Sequence, residues 1–154
     1  MGSSATAKLV YGYDLGGDDA GWKVKEKGEY GELSASWYET DSVEDALENA
    51  LLAAAGFTDT WTPGDVGYYE RRGAALEQFG VKIVTYCMLD SPSYLLAAGQ
   101  IRAEEDSTTA IDLASLTTRP EREGWDAKLH TAIKTLGLTP EQAQPAWLLC
   151  SMYS

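Results

Sequence analysis

The chain holds one histidine, two cysteines, two phenylalanines and half as many basic as acidic side chains. Each shortage closes off a class of function. With His130 alone, and with Cys87 and Cys150 far apart in sequence, the three or four nitrogen and sulfur ligands of a zinc site are not at hand. A Cys–His nucleophilic pair needs an exposed thiol of depressed pKa. Both cysteines instead lie in apolar runs, where a reduced thiol behaves as a small hydrophobe, so both are expected buried and free. His130 sits on the polar side of its helix beside Lys134 and reads as a surface residue. No apolar run approaches the roughly 20 residues of a membrane-spanning helix. Residues 1–6 lack the basic and apolar regions of a signal peptide. They fit the Met-Gly-x-x-x-Thr myristoylation pattern, but a short Gly/Ser/Ala start is more simply a tail. The expectation is a flexible tail over 1–7, a single domain over 8–154, no membrane partner and a cytoplasmic setting.

Positive charge is the other shortage. Twelve Lys and Arg against 24 Asp and Glu give a net charge of −12. Residues 1–77 carry 6 basic and 15 acidic groups, a net −9, and residues 78–154 carry 6 and 9, a net −3. Binding to a phosphate backbone needs clustered cations, so direct nucleic-acid binding is not expected. A solvated acidic surface is the plain reading, and attraction of a basic partner is the sharper one.

What is present is hydrophobic pattern. Residues 81–103 read as two apolar strands around the turn Asp90-Ser91-Pro92-Ser93, a hairpin for the rest of the chain to cover. In residues 8–15, Leu9, Tyr11, Tyr13 and Leu15 alternate on one strand face. After a Gly/Asp loop, Trp22 to Lys27 alternates again, and a short strand is expected at 33–37. Asp41, with Glu44 three residues on, has the form of a capping box. Val43, Ala46, Leu47, Ala50, Leu51 and Ala54 then make one helical face, stopped by Gly56 with Phe57 folding back. A second start at Thr62-Pro63-Gly64-Asp65 opens a helix to Phe79, with Val66, Tyr69, Leu76 and Phe79 inward and Gly73 allowing close packing on the sheet. Residues 111–116 read as a short strand or one helical turn. A capping box at Thr118–Glu121 leads to a stripe of Trp125, Leu129, Ala132, Ile133 and Leu136, closed by Gly137. Residues 146–153 are apolar throughout and read as a strand buried on both faces. The whole is α+β: a mixed, mainly antiparallel sheet with three principal helices.

Three groups of residues carry candidate chemistry. Asp14, Asp18 and Asp19 flank or occupy a flexible glycine loop, as a Ca²⁺ or Mg²⁺ site requires, although the loop lacks EF-hand spacing and is more simply an acidic hairpin turn. Glu39, Asp41, Glu44, Asp45 and Glu48, with Glu104, Glu105 and Asp106, can form a negative face. Spaced carboxylates of this kind imitate a phosphate backbone. Trp37, Tyr38, Trp61, Tyr68 and Tyr69 lie in or beside connections, where exposed aromatics form binding patches and buried ones seal a core rim. Trp22, Trp125 and Trp147 fit core faces. No catalytic set, metal or cofactor is assigned.

Gly12-Tyr13, Gly21-Trp22-Lys23-Val24, Leu51-Leu52-Ala53, Gly56-Phe57-Thr58, Tyr86-Cys87, Trp125-Asp126-Ala127-Lys128-Leu129, Gly137-Leu138-Thr139-Pro140 and Trp147-Leu148-Leu149 together form a pattern that resembles small acidic uncharacterised proteins of Streptomyces-like actinobacteria and their phages. The resemblance implies a cytoplasmic accessory or phage-borne protein and supplies no activity. The leading expectation is a non-enzymatic acidic domain that binds a host or cellular protein, with Trp37, Trp61, Tyr68 and the carboxylates from Glu39 to Glu48 as its surface. Two alternatives stand beside it. One is an acidic inhibitor that mimics nucleic acid toward a DNA- or RNA-binding protein. The other is a small-molecule-binding protein or small enzyme with an aromatic-lined site near Asp14, Asp18 or Tyr86.

Overall fold

A computed structural model describes residues 4–39 and 41–153. The strands are β1 (Ala5–Gly17), β2 (Gly21–Trp22), β3 (Lys82–Met88), β4 (Pro92–Glu104) and β5 (Ala146–Tyr153), and the helices are α1 (Val43–Ala54), α2 (Tyr68–Glu77), α3 (Leu113–Arg122) and α4 (Trp125–Leu136). The fold is α+β, as the hydrophobic periodicities indicate. Among the described residues the helices number four rather than three, because residues 113–122 form one of their own.

The sheet runs β2-β1-β4-β3-β5 and then returns, because β1 also pairs with β5. β1 is antiparallel to both β4 and β5, β3 is antiparallel to β4, and β3 meets β5 in parallel at Cys87↔Met152 and Met88↔Tyr153. Four strands thus close into a ring, which removes their open edges. Strand alternation splits their side chains into two sets. Val10, Val84, Leu95 and Ala97 point inward with Tyr86, Leu148 and Cys150 beside them. Tyr11, Tyr13, Tyr94 and Leu96 point outward, under Leu47 and Leu51 of α1 and Trp125, Leu129 and Ile133 of α4. Lys8 also points inward; its Nζ donates to the Thr85 carbonyl at 2.8 Å, and burial, then Arg102, lowers its pKa.

Gly12 is where β1 shifts register against β4. A Cβ there would run into the Leu96 carbonyl oxygen, so the two backbones approach as closely as they do only because the residue is glycine.

α1 ends as its sequence indicates. Gly56 has φ +78°, and the Gly56 and Phe57 N–H groups donate to the Ala53 and Leu52 carbonyls at 3.1 and 3.0 Å. That pair of bonds is a Schellman motif. Its start differs from the expected capping box: Ser42 is the N-cap and makes no side-chain bond. In α3, Asp112 caps the Ala114 and Ser115 N–H groups at 3.1 and 3.4 Å, and the Thr118–Glu121 signal lies inside this helix rather than opening α4. Pro120, also inside α3, has no N–H to give the Leu116 carbonyl four residues back. The Trp147 indole N–H fills that place at 2.9 Å, which ties α3 to β5.

Other expectations are corrected. Ala5 to Ala7 belong to β1, so the expected tail over 1–7 loses these residues to the sheet, while residues 1–3, with the Met1-Gly2 start of the myristoylation pattern, lie outside the described residues. The strand at 22–27 shrinks to Gly21–Trp22. Beyond it, Val24 bridges to Pro140, and Lys25 N–H donates to the Thr139 carbonyl at 2.9 Å. The strand at 33–37 reduces to a single bridge, Lys27↔Leu33. β5 is covered fully on neither face: on its outer face Trp147 is half-buried against Tyr11 and Trp125, but Leu149 is 79% exposed. Both cysteines are free, but Cys87 is exposed and Cys150 half-buried, because the β3 end that carries Cys87 lies at the rim of the ring. Among the described residues, no helix is long and apolar enough to cross a membrane.

Candidate interaction surface

The glycine–aspartate loop is internally engaged. Asp14 Oδ1 accepts from the Tyr86 hydroxyl at 2.7 Å and from the Gly16 N–H at 3.0 Å, and Oδ2 pairs with Lys23 at 2.8 Å. Burial, then the bond to Asp14, raises the Tyr86 pKa. Asp18 Oδ1 accepts from the Trp22 indole at 2.9 Å and the Tyr38 hydroxyl at 2.6 Å. Asp19 lies in the exposed turn. The three carboxylates do not converge: Asp14 braces β1 to β3, and Asp18 braces β2 to the segment that follows it. Among the described residues no group of three or more His, Cys, Asp or Glu assembles.

Asp41, Glu44 and Asp45 are exposed at the start of α1, with Glu39 exposed just before it and Glu48 half-buried one turn on. Burial, then Glu48, then Asp45, raises the Glu44 pKa, as expected where carboxylates crowd on a helix face. Glu48 is not a free part of that face. It pairs with Arg72 of α2 at 2.7 Å, and Asn49 accepts from the same guanidinium at 3.1 Å. This clamp fixes α2 on α1.

α2 starts at Tyr68 rather than at Pro63, and it buries none of its residues. Thr62 to Asp65 form a turn in which the Asp65 N–H donates to the Thr62 carbonyl at 3.1 Å. Gly64 has φ +87°, outside the helical region. Losing that first turn releases residues expected to face inward: Val66 is 95% and Tyr69 70% exposed, with Trp61 54% exposed on the same connection. Tyr68 is half-buried and its ring meets Phe57 at 6.0 Å and Tyr69 at 5.1 Å between centroids. The connection is held in shape. Arg71 reaches Asp59 at 2.7 Å and Asp65 at 2.7 Å and holds the Asp65 carboxyl below its usual pKa. Trp61 and Val66 on this braced connection and Tyr69 in the first turn of α2 are thus three exposed apolar side chains.

Trp37, grouped with the surface aromatics on sequence, is half-buried. Its indole donates to the Leu136 carbonyl at 2.8 Å, so it seals the end of α4 and is removed from the candidate surface. Val66 and Tyr69 take its place. The signal for them was the spacing of Gly64, Gly67 and Gly73, each of which weakens a helix by roughly 1 kcal/mol relative to alanine.

A cleft of about 590 Å³ opens between the α1–α2 pair and the β3–β4 strands, with Arg119 at its margin. It is not the aromatic-lined site considered above, since Asp14, Asp18 and Tyr86 lie off it. Gly73 borders it, and a Cβ there would meet nothing within 4 Å, so this glycine leaves space open instead of allowing the close sheet packing expected of it. Comparison with protein-family models, with curated proteins and with solved structures found no match to the chain.

Proposed function

We propose that this chain is a non-enzymatic interaction domain that binds a host or cellular protein through the α1–α2 connection and the acidic start of α1. The observation that carries the reading is the exposure of Trp61 and Val66 on a connection pinned by Arg71 and of Tyr69 in the first turn of α2. Exposed aromatics on a fixed backbone lose little entropy on binding, and aromatic anchors supply most of the energy at interfaces. Glu70 adjoins Tyr69 on α2, and Asp41, Glu44 and Asp45 add exposed carboxylates at the opposite, N-terminal end of α1. The complementary partner has an apolar pocket rimmed by Lys and Arg.

The test is crosslinking and capture from the cognate cells with the natural chain and with a Trp61→Ala/Tyr69→Ala variant. A basic protein held by the first and released by the second is the expected result, with roughly 30-fold weaker binding if the two anchors together contribute 2 kcal/mol or more. Equal capture by both chains would sink the assignment. Nucleic-acid mimicry has less behind it, because Glu48, Asp59 and Asp65 are already engaged in ion pairs with Arg72 and Arg71. Duplex DNA displacing the captured partner would revive that reading.

A further inference from the structure

The outer face of the sheet loses its cover at one end. Tyr11 sits between Gly99 of β4 and Trp147 of β5, and the Trp125 ring packs on that row. Two residues back along β1, the next row of the same face is Ile101, Leu9 and Leu149. The row after it is Ala103, Ala7 and Ser151. Leu9 and Ile101 are half-buried and Leu149 is exposed. None of the three packs into either buried cluster. Leu113, also exposed, stands one helical turn before Leu116, whose carbonyl takes the Trp147 indole, and so adds to the margin of this face.

Charge and side-chain size together define what fits these rows. In a chain of net charge −12, neither row holds a charged residue, because strand alternation turns Lys8, Arg102 and Glu104 to the opposite face. A basic partner finds no carboxylate on these rows, whereas two acidic copies can meet there without opposing like charges. The large row lies beside the small row, about 7 Å apart along the strands. A two-fold axis that crosses the strands midway between the rows sets the large row of one copy on the small row of the other. Leu149 then meets Ser151, Leu9 meets Ala7 and Ile101 meets Ala103. The surface is its own complement, as an isologous contact requires.

We propose that this chain pairs with a second copy of itself through the Ile101–Leu9–Leu149 face of its sheet. The uncovered part of β1, from Ala5 to Leu9, and its two neighbouring strands span about 17 Å by 14 Å. That places the contact at the small end of specific interfaces and makes the dimer a weak, reversible one. No residue of this face belongs to the α1–α2 connection proposed to bind protein, and neither reading depends on the other.

The test is sedimentation equilibrium of the whole chain from about 10 μM to 1 mM, the range in which a contact of this size is read. The expected result is a mass that rises from one chain to two. Leu149→Asp, at an exposed position, should leave the urea midpoint of the monomer unchanged. It should weaken the dimer about a hundredfold, because two-fold symmetry buries the unpaired carboxylate twice. Ala7→Leu separates a fitted contact from a merely apolar one. It adds apolar surface, yet it sets a leucine against Leu9 of the other copy and should weaken the dimer about tenfold. Trp61→Ala/Tyr69→Ala, which tests the protein-binding reading, should dimerise as the natural chain does. Any of four results would overturn the proposal: a monomer at the highest concentration, tighter association in Ala7→Leu, an undiminished dimer in Leu149→Asp, or loss of the dimer in the Trp61/Tyr69 variant. A monomer that captures another protein and releases it on Leu149→Asp would give the face to that partner instead.

Discussion

Replacing Trp147 with phenylalanine takes the indole N–H from the Leu116 carbonyl, and the damage depends on a proline in another element. In the natural chain Pro120 has no N–H to offer that carbonyl, and Trp147 supplies one at 2.9 Å. Trp147→Phe therefore strands a partly buried acceptor, which costs about 1–3 kcal/mol; the half-buried setting puts the value near the lower end. The lost ring volume adds to it, since Trp147 packs on Tyr11 and Trp125 at 5.4 and 5.9 Å between centroids. In a Pro120→Ala chain the new N–H at 120 can close the ordinary helical bond to Leu116. There Trp147→Phe should cost only the packing share. A double-mutant cycle by urea unfolding isolates the difference, because ring volume is lost equally in both backgrounds. The expected coupling is about 1 kcal/mol, above the ~0.3–0.5 kcal/mol within which independent substitutions add. Additivity within that band would refute the exchange of partners at Leu116.

Burial, then the 2.6 Å bond to Asp126, raises the Tyr11 pKa to about 12, so its contribution to stability is complete below pH 10 and is lost as the pH climbs toward 12. The gap between the natural chain and Tyr11→Phe should then narrow by about 1.4 kcal/mol between pH 9 and pH 11, read from urea melts; a constant gap would remove Tyr11 from the alkaline transition. Gly12→Ala should cost about 3 kcal/mol, the upper end for overpacking, because the obstacle is a backbone carbonyl, and a loss under 1 kcal/mol in the same melts would contradict the close strand approach. Gly56→Ala should cost about 1–2 kcal/mol for placing a side chain at φ +78°, with thermal unfolding as the measure. Asp18→Ala should cost about 1–2 kcal/mol by leaving the Trp22 indole N–H without its acceptor. Calorimetric binding of Ca²⁺ by the natural chain that Asp18→Ala abolishes would restore a metal role to the loop.

Local signals were legible where one segment decides its own structure. The apolar stripe from Val43 to Ala54 and the Gly56–Phe57 ending gave α1, and the stripe from Trp125 to Leu136 with Gly137 gave α4, because spacing and left-handed glycines act within a few residues. The α2 start was misread for a local reason as well. Thr62-Pro63 and Asp65 suit a turn as well as a helix, and Gly64 and Gly67 decide for the turn. Ring closure was not legible. The pairing of β5 with both β1 and β3 depends on segments over sixty residues away in sequence, so the apolar run at 146–153 read as a buried central strand although its outer face is exposed beyond Trp147. The same limit applied to the site residues. Position alone marked Trp37 and Trp61 alike; only the end of α4, a hundred residues beyond Trp37, gave one of them a carbonyl to bond. The carboxylates of Asp14 and Asp18 were visible as a loop composition, but their donors come from Tyr86, Trp22 and Tyr38.

The β1–β5 ladder has a mechanical consequence. Its register places Ala5 opposite Tyr153 and Gly12 opposite Ala146, so tension applied between residues 5 and 153 pulls at one end of an antiparallel pair. Its hydrogen bonds lie across the strands and are loaded one pair after another, like the teeth of a zip, instead of sharing the load as in shear. The ring that closes the fold is therefore also the seam along which a pulling motor would open it, and the first side chains uncovered would be those it holds inside, Cys150 and Lys8 among them.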